Sequence, residues 1–294
     1  MTYSAIQLQL THVLQQFYRR VGGKVTLATG GSASTAVDTK LAEELGDSNE
    51  DDLYNGGTLI VIEDAGGANA APEGEFTRIT DYVAFTQTLT LSPTITAIAS
   101  GDRIVIAPSD FPLYDVIEQV NDALKMLGDI PIPNTSITTA ANQTEYTLPV
   151  ALNGQQLLNV EIQGTTTDAD DNQWMPIANW RVVDAVPGTA GTLIIPQFTA
   201  GYTVRVWYLG KHPRVDAFDD NISEYLHPDL VHAAVMTQIL QWKNDAERAS
   251  GNAASDQLVA LEQKAWSQLD RARALHPVSL PPRRVQGFPH WVRA

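Results

Sequence analysis

The residues able to do chemistry are few, and most lack a required partner. A serine nucleophile of the hydrolase type stands in a glycine-framed elbow between strand and helix. Gly31-Ser32-Ala33-Ser34 lacks the second framing glycine and falls in a predicted loop, so no catalysis is expected there. His227, Asp229 and His232 gather at a predicted helix start, but the two histidines are five residues apart and do not share a face as an i,i+4 metal pair would. Capping and packing are their expected roles. Asp168-Ala169-Asp170-Asp171-Asn172 repeats the opening of a calcium loop, yet Gln173 stands where the loop needs glycine and Asn179 where it needs a bidentate glutamate. A solvated hairpin turn is expected. The acidic run Asp47, Glu50, Asp51 and Asp52 reads as a mobile surface loop, since like charges without a scaffold repel. Gly22-Gly23-Lys24-Val25-Thr26 has lysine near glycine without the phosphate-cradling spacing of a Walker loop. With no cysteine in the chain, thiol nucleophiles, disulfides and thiolate zinc sites are excluded. The expectation is a protein without turnover, cofactor or bound ion.

Two further sets have alternative uses. Trp174 and Trp180 offer indole faces for a sugar platform, although strand packing is the commoner role and the one expected. Asn134-Thr135-Ser136, Asn142-Gln143-Thr144 and Asn221-Ile222-Ser223 match the glycosylation tripeptide, but Met1 to Leu10 lack the basic and apolar run of a secretion signal, so turn and cap roles are expected.

Around these residues stands a chain of 294 residues, long enough for more than one core, with 44% hydrophobic and 18% charged residues. It is expected to fold and to be soluble where it is made, in host cytoplasm, because no stretch nears the roughly 18 apolar residues of a membrane span. Lys and Arg total 19 against 34 Asp and Glu, a net charge of -15 that disfavours any general hold on nucleic-acid phosphates or anionic membranes.

Ile6, Leu10, Val13 and Phe17 predict a helix over 2–21, ended by Gly22-Gly23. Period-two runs such as Leu59-Ile60-Val61-Ile62 and Ile104-Val105-Ile106 predict strands over 23–107, with turns at Asn55-Gly56-Gly57, Gly66-Gly67 and Ser100-Gly101-Asp102. Pro112 and the stripe Ile117, Val120, Leu124, Leu127 predict a helix over 112–127. Ile130-Pro131-Ile132-Pro133 reads as an extended linker, too proline-dense for a central strand. Residues 135–209 read as a second, sandwich-like β unit with turns at Asn153-Gly154 and Pro187-Gly188, and helices at about 228–248 and 253–275 form a hairpin.

The expected fold class is α+β: a discontinuous helical bundle (1–22, 112–129 and 222–275) carrying two inserted small antiparallel β modules (23–111 and 130–215), barrel- or sandwich-like. Residues 276–294 hold Pro277, Pro281, Pro282 and Pro289, so they read as an extended arm. Arg283, Arg284 and Arg293, with no acid nearby and with Phe288 and Trp291 as apolar anchors, make it a candidate docking segment.

The segments Ala36-Val37-Asp38-Thr39, Tyr54-Asn55-Gly56-Gly57-Thr58-Leu59, Arg78-Ile79-Thr80-Asp81-Tyr82, Gly101-Asp102-Arg103, Phe111-Pro112 and Val116-Ile117-Glu118-Gln119-Val120-Asn121-Asp122-Ala123-Leu124 together resemble neck proteins of tailed bacteriophages. The resemblance covers about residues 20–130. It implies a head-to-tail adaptor, or a neighbouring neck component, located in the virion as a ring, commonly a dodecamer. The implied partners are the portal protein, tail or other neck proteins and copies of itself. Double-stranded DNA would pass without specific binding, and no membrane is involved. An acidic ring suits a conduit that must repel the phosphate backbone. The rival expectation is a receptor- or carbohydrate-binding virion protein using Trp174 or Trp180. A glycan-cleaving enzyme, which needs two carboxylates at a defined separation, ranks last.

Overall fold

The computed structural model describes residues 7–41, 50–66, 73–152, 157–163, 174–183, 191–251 and 255–278. Among the described residues the protein is mixed α and β with antiparallel sheets, none of them closed into a barrel. It divides into two compact units, one comprising Thr2–Leu127 with Pro213–Pro277 and the other comprising Gly128–His212.

In the first unit, α1 (Leu10–Arg20) buries Leu10, Val13, Leu14, Phe17 and Tyr18 along one face. It begins later than its apolar spacing predicts. The Ile222 N–H donates to the Leu8 carbonyl at 2.8 Å, the Leu10 N–H donates to the Asp220 carbonyl at 3.0 Å, and Gln9 bridges Asn221. Those backbone groups pair across the chain and so are lost to a helix. At the other end Gly22 takes φ +89°, which a side chain would resist, and the Gly23 N–H closes on the Tyr18 carbonyl at 2.8 Å.

Seven strands follow: β1 (Lys24–Leu27), β2 (Gly30–Gly31), β3 (Thr35–Val37), β4 (Thr58–Glu63), β5 (Phe76–Val83), β6 (Thr88–Ser92) and β7 (Arg103–Ala107). They pair in the order β1-β7-β4-β5-β6-β3-β2. Alternation places Leu59, Val61, Ile79, Tyr82, Leu89, Leu91, Ile104 and Ile106 in one core cluster. The turn before β4 depends on glycine twice: Gly56 has φ +79°, and a Cβ on Gly57 would lie 2.5 Å from the Ala107 carbonyl oxygen.

Three more helices of this unit lie among the described residues. Helix α2 (Leu113–Met126) starts just after Pro112, α3 (Pro228–Ala249) has proline at its first turn, and α4 (Asp256–Leu275) is capped by the Ser255 side chain. Helix α3 packs against α1, α2 and α4, and α1 also packs against β1 and β7.

The second unit holds β8 (Ile130–Thr138), β9 (Glu145–Thr147), β10 (Leu157–Gln163), β11 (Met175–Pro176), β12 (Arg181–Val183), β13 (Thr192–Ile194) and β14 (Thr203–Gly210). They form one sheet ordered β11-β10-β14-β8 and another ordered β12-β13-β9. Val160, Ile162, Val204 and Val206 from the first join Tyr146, Leu193 and Ile195 from around the second in a shared core. The expected linker at 130–133 is a strand instead. Pro131 pairs with Leu209 and Pro133 with Trp207. β8 lies at the sheet edge, where alternate residues turn their nitrogen away from the partner, so proline sacrifices no ladder bond.

Candidate functional site

Among the described residues, a cluster of ligand-bearing side chains joins the two ends of the α3–α4 hairpin. His227 precedes α3 and caps it, its Nδ1 accepting the Asp229 N–H at 3.2 Å, as the sequence suggested. His276 ends α4, and the two imidazoles stack with centroids 3.5 Å apart and planes 2° from parallel. The Asp229 carboxylate lies 3.8 Å from His227 Nδ1 and 3.7 Å from His276 Nε2. His227, Asp229 and His276 thus bring ligand atoms within 4.8 Å of one another. Parallel rings direct their in-plane lone pairs side by side, whereas a metal held by two imidazoles needs those lone pairs to converge. As arranged, the trio fastens helix ends, and a divalent ion would require both rings to turn.

The third residue named from the sequence, His232, sits one turn into α3, facing α1 across a shallow cleft lined by Val13, Phe17, Arg20 and Met236. Burial, reinforced by the Arg20 cation and weakly by His12, and opposed by Asp229, pushes its imidazole down to about 4. It is a neutral packing residue at ordinary pH. His276 took the place assigned to it because α4 returns antiparallel to α3, a long-range consequence that local spacing does not reveal.

Other polar groups singled out in the sequence are tied into the fold. Asp38 is fully buried, accepting the Thr26 hydroxyl at 2.6 Å and the Lys40 N–H at 3.0 Å. Asp102, also fully buried, accepts the Ala65 and Ala99 N–H groups at 3.0 and 2.8 Å. Asp51 accepts the Ala84 N–H at 2.7 Å, and the Asp52 N–H donates to the Tyr82 carbonyl at 2.9 Å. These two exposed residues, one through its carboxylate and the other through its backbone, therefore tie a surface turn to the β5–β6 hairpin. Ser32 bonds Thr35 at 2.8 Å and Ser34 at 3.5 Å, a local turn without a histidine partner among those bonds.

In the second unit Trp180 packs against the sandwich core. Trp174 has a different environment: the Arg205 guanidinium lies 4.0 Å from its ring centroid and 5.0 Å from that of Trp207. Glu161 pairs with Arg205 across β10 and β14, and it also accepts from Trp207 Nε1 at 2.9 Å and Asn159 Nδ2 at 3.0 Å. Its oxygens are engaged on both sides, which makes the stack rigid.

A second tie was not foreseen from the sequence. Asn121, buried on α2, donates to the Ile117 and Val215 carbonyls at 2.9 Å each and accepts the Val215 N–H at 2.8 Å. Beside it the exposed Arg214 clamps Glu118 and Asp216, and this hydrogen bonding holds the Glu118 carboxyl below its usual range and raises Arg214.

The calcium-like run Asp168 to Gln173, Asp47, and the proposed docking residues Arg283, Arg284, Phe288, Trp291 and Arg293 lie outside the described residues. Among the described residues, no helix is long and apolar enough to cross a membrane. The sequence matches no protein-family model and no curated protein.

Proposed function

We propose that the protein is a structural virion subunit, a head-to-tail adaptor or neck ring component that joins the portal to the tail and lines part of the DNA channel. One observation carries the reading: α3 packs not only against its hairpin neighbour α4 but also against α1 and α2, from which β segments separate it along the chain. A helical base is the plan that the resemblance to phage neck proteins implies, and the two inserted β modules make this chain more elaborate than the minimal all-helical adaptors. The finer architecture follows: a discontinuous bundle with inserted β modules and a C-terminal docking arm. The net charge of -15 adds support, because an acidic lumen repels passing DNA.

The rival, a receptor- or carbohydrate-binding virion protein, draws on the Trp174–Arg205–Trp207 stack. Cryo-electron microscopy of particles containing the protein separates the two. Ring density at the head–tail junction is expected; density in a fibre or on the capsid surface would overturn the adaptor in favour of the rival. Reproducible glycan hydrolysis abolished by one carboxylate substitution would remove both.

A further inference from the structure

Two imidazoles and a carboxylate meet where α3 begins and α4 ends. Asp229 Oδ2 lies 3.8 Å from His227 Nδ1 and 3.7 Å from His276 Nε2, and the three ligand atoms all fall within 4.8 Å of one another. A tetrahedral zinc ion that holds imidazole nitrogen and carboxylate oxygen at about 2.1 Å keeps its ligand atoms roughly 3.4 Å apart. The two edges of this triangle that meet at Asp229 are therefore only a few tenths of an ångström too long. What is missing is direction, because the rings stand within 2° of parallel. Direction is the softer variable: the histidine ring torsion is broad, and both rings hang from helix ends. His227 immediately precedes α3, and His276 immediately follows α4 with its N–H donating to the Ala272 carbonyl at 2.8 Å. Each ring can turn about its side-chain bonds while both helix backbones stay in place. Solvent reaches the trio through the Asp229 side chain, which is 73% exposed, against 22% and 24% for the two histidines.

We infer that His227, Asp229 and His276 form an inducible site for a divalent transition metal of the zinc class, which unstacks the rings and ties the start of α3 to the end of α4. The donor set selects the class. Two imidazole nitrogens and one carboxylate oxygen suit Zn²⁺, Co²⁺ or Ni²⁺, whereas Mg²⁺ and Ca²⁺ call for oxygen ligands. Three protein ligands at an exposed edge leave a further position for water. The ion takes the His227 Nδ1 lone pair that now accepts the Asp229 N–H at 3.2 Å, so binding exchanges a helix cap for a coordinate bond. The net charge of -15 favours cations near the surface and so assists entry. His232, which lines the cleft against α1, supplies no ligand.

The inference goes beyond the neck reading and stands without it, because it is tested on the isolated, untagged full-length chain. After chelator treatment the protein is titrated with Co²⁺, whose visible absorption reports its ligands, and then with Zn²⁺. One equivalent of Co²⁺ should bind and be displaced by Zn²⁺. Zinc at about a hundredfold above its Kd should raise the melting temperature by several degrees, since the ion binds the folded chain, and Mg²⁺ should not. His227→Asn keeps a good capping side chain but removes the imidazole. Without metal it should melt as the parent chain does, yet it should bind Co²⁺ at least about ten-fold more weakly. His276→Ala should weaken binding as much, and Asp229→Asn several-fold. His232→Gln, outside the trio, should leave binding unchanged. Failure of the folded parent chain to take up one equivalent, or binding that survives in both His227→Asn and His276→Ala, overturns the inference.

Discussion

Asn121 shows how much one buried amide can hold. Its carboxamide presents an acceptor and a donor to Val215 as a neighbouring strand's peptide would, fastening the segment after Pro213 to α2. Removing the side chain leaves the Val215 N–H and carbonyl buried without partners, a cost on the order of 2–4 kcal/mol. Asn121→Ala should therefore lower the denaturant midpoint of the first unit strongly. Asn121→Asp keeps the acceptor but loses the donors and buries a charge, so it should be destabilised too, and more at pH 7 than at pH 4. His232 gives a second expectation. Its folded pKa, about 4, is depressed below the ordinary 6.5, so the unfolded chain binds the extra proton between those values. Its contribution is fully present above pH 6.5 and is lost as pH falls toward 4, by up to about 1.4 kcal/mol per pH unit. His232→Gln should flatten that part of the stability profile in urea titrations at several pH values; an unchanged slope would show that other groups set it.

At the scale of elements, the first sheet depends on acids buried in its turns. Asp102 holds the Ala65 and Ala99 N–H groups from both sides of the entry to β7, so Asp102→Ala should cost about 2–4 kcal/mol. Asp102→Asn, which turns an N–H toward one of those donors, should recover only part of it, read from paired melts. The legible part of the fold was local. Apolar spacing marked α2, α3 and α4 nearly to their ends, and period-two runs marked β4 and β7. The missed parts depend on pairing between distant segments. Leu8 and Gln9 fit a helix by type, but partners at Asp220 to Ile222 hold them extended. Pro131 and Pro133 argued against a strand until β8 proved to be an edge. The candidate sites follow the same rule: the capping role of His227 was visible in its neighbours, whereas its stacking on His276 required the hairpin to close.

For the whole molecule, charge and assembly pull in opposite directions. Each chain carries -15, so the proposed ring would concentrate negative charge, while the three arginines within residues 276–294 offer only local attraction. Repulsion between bodies is long-ranged and salt shortens it, with a Debye length of about 30 Å at 10 mM and about 8 Å at 150 mM. In the proposed ring, attraction between the C-terminal arginines and acids of a neighbouring copy weakens over the same range, but it is confined to a few close charges backed by the packing of Phe288 and Trp291, which salt does not remove. If the ring reading holds, the higher-order fraction seen by sedimentation velocity should rise as salt increases from 10 to 150 mM, and rise more steeply when acids on the exposed body are retained than when they are replaced by glutamine or asparagine. Above about 0.5 M, where screening of the bodies is nearly complete, further salt should act chiefly on the arm, and the fraction should level off or decline. A fraction that falls steadily from the lowest salt would mean that arginine–carboxylate contacts, rather than buried faces, hold the copies together, and would sink the view of the acidic body as the main opponent of assembly.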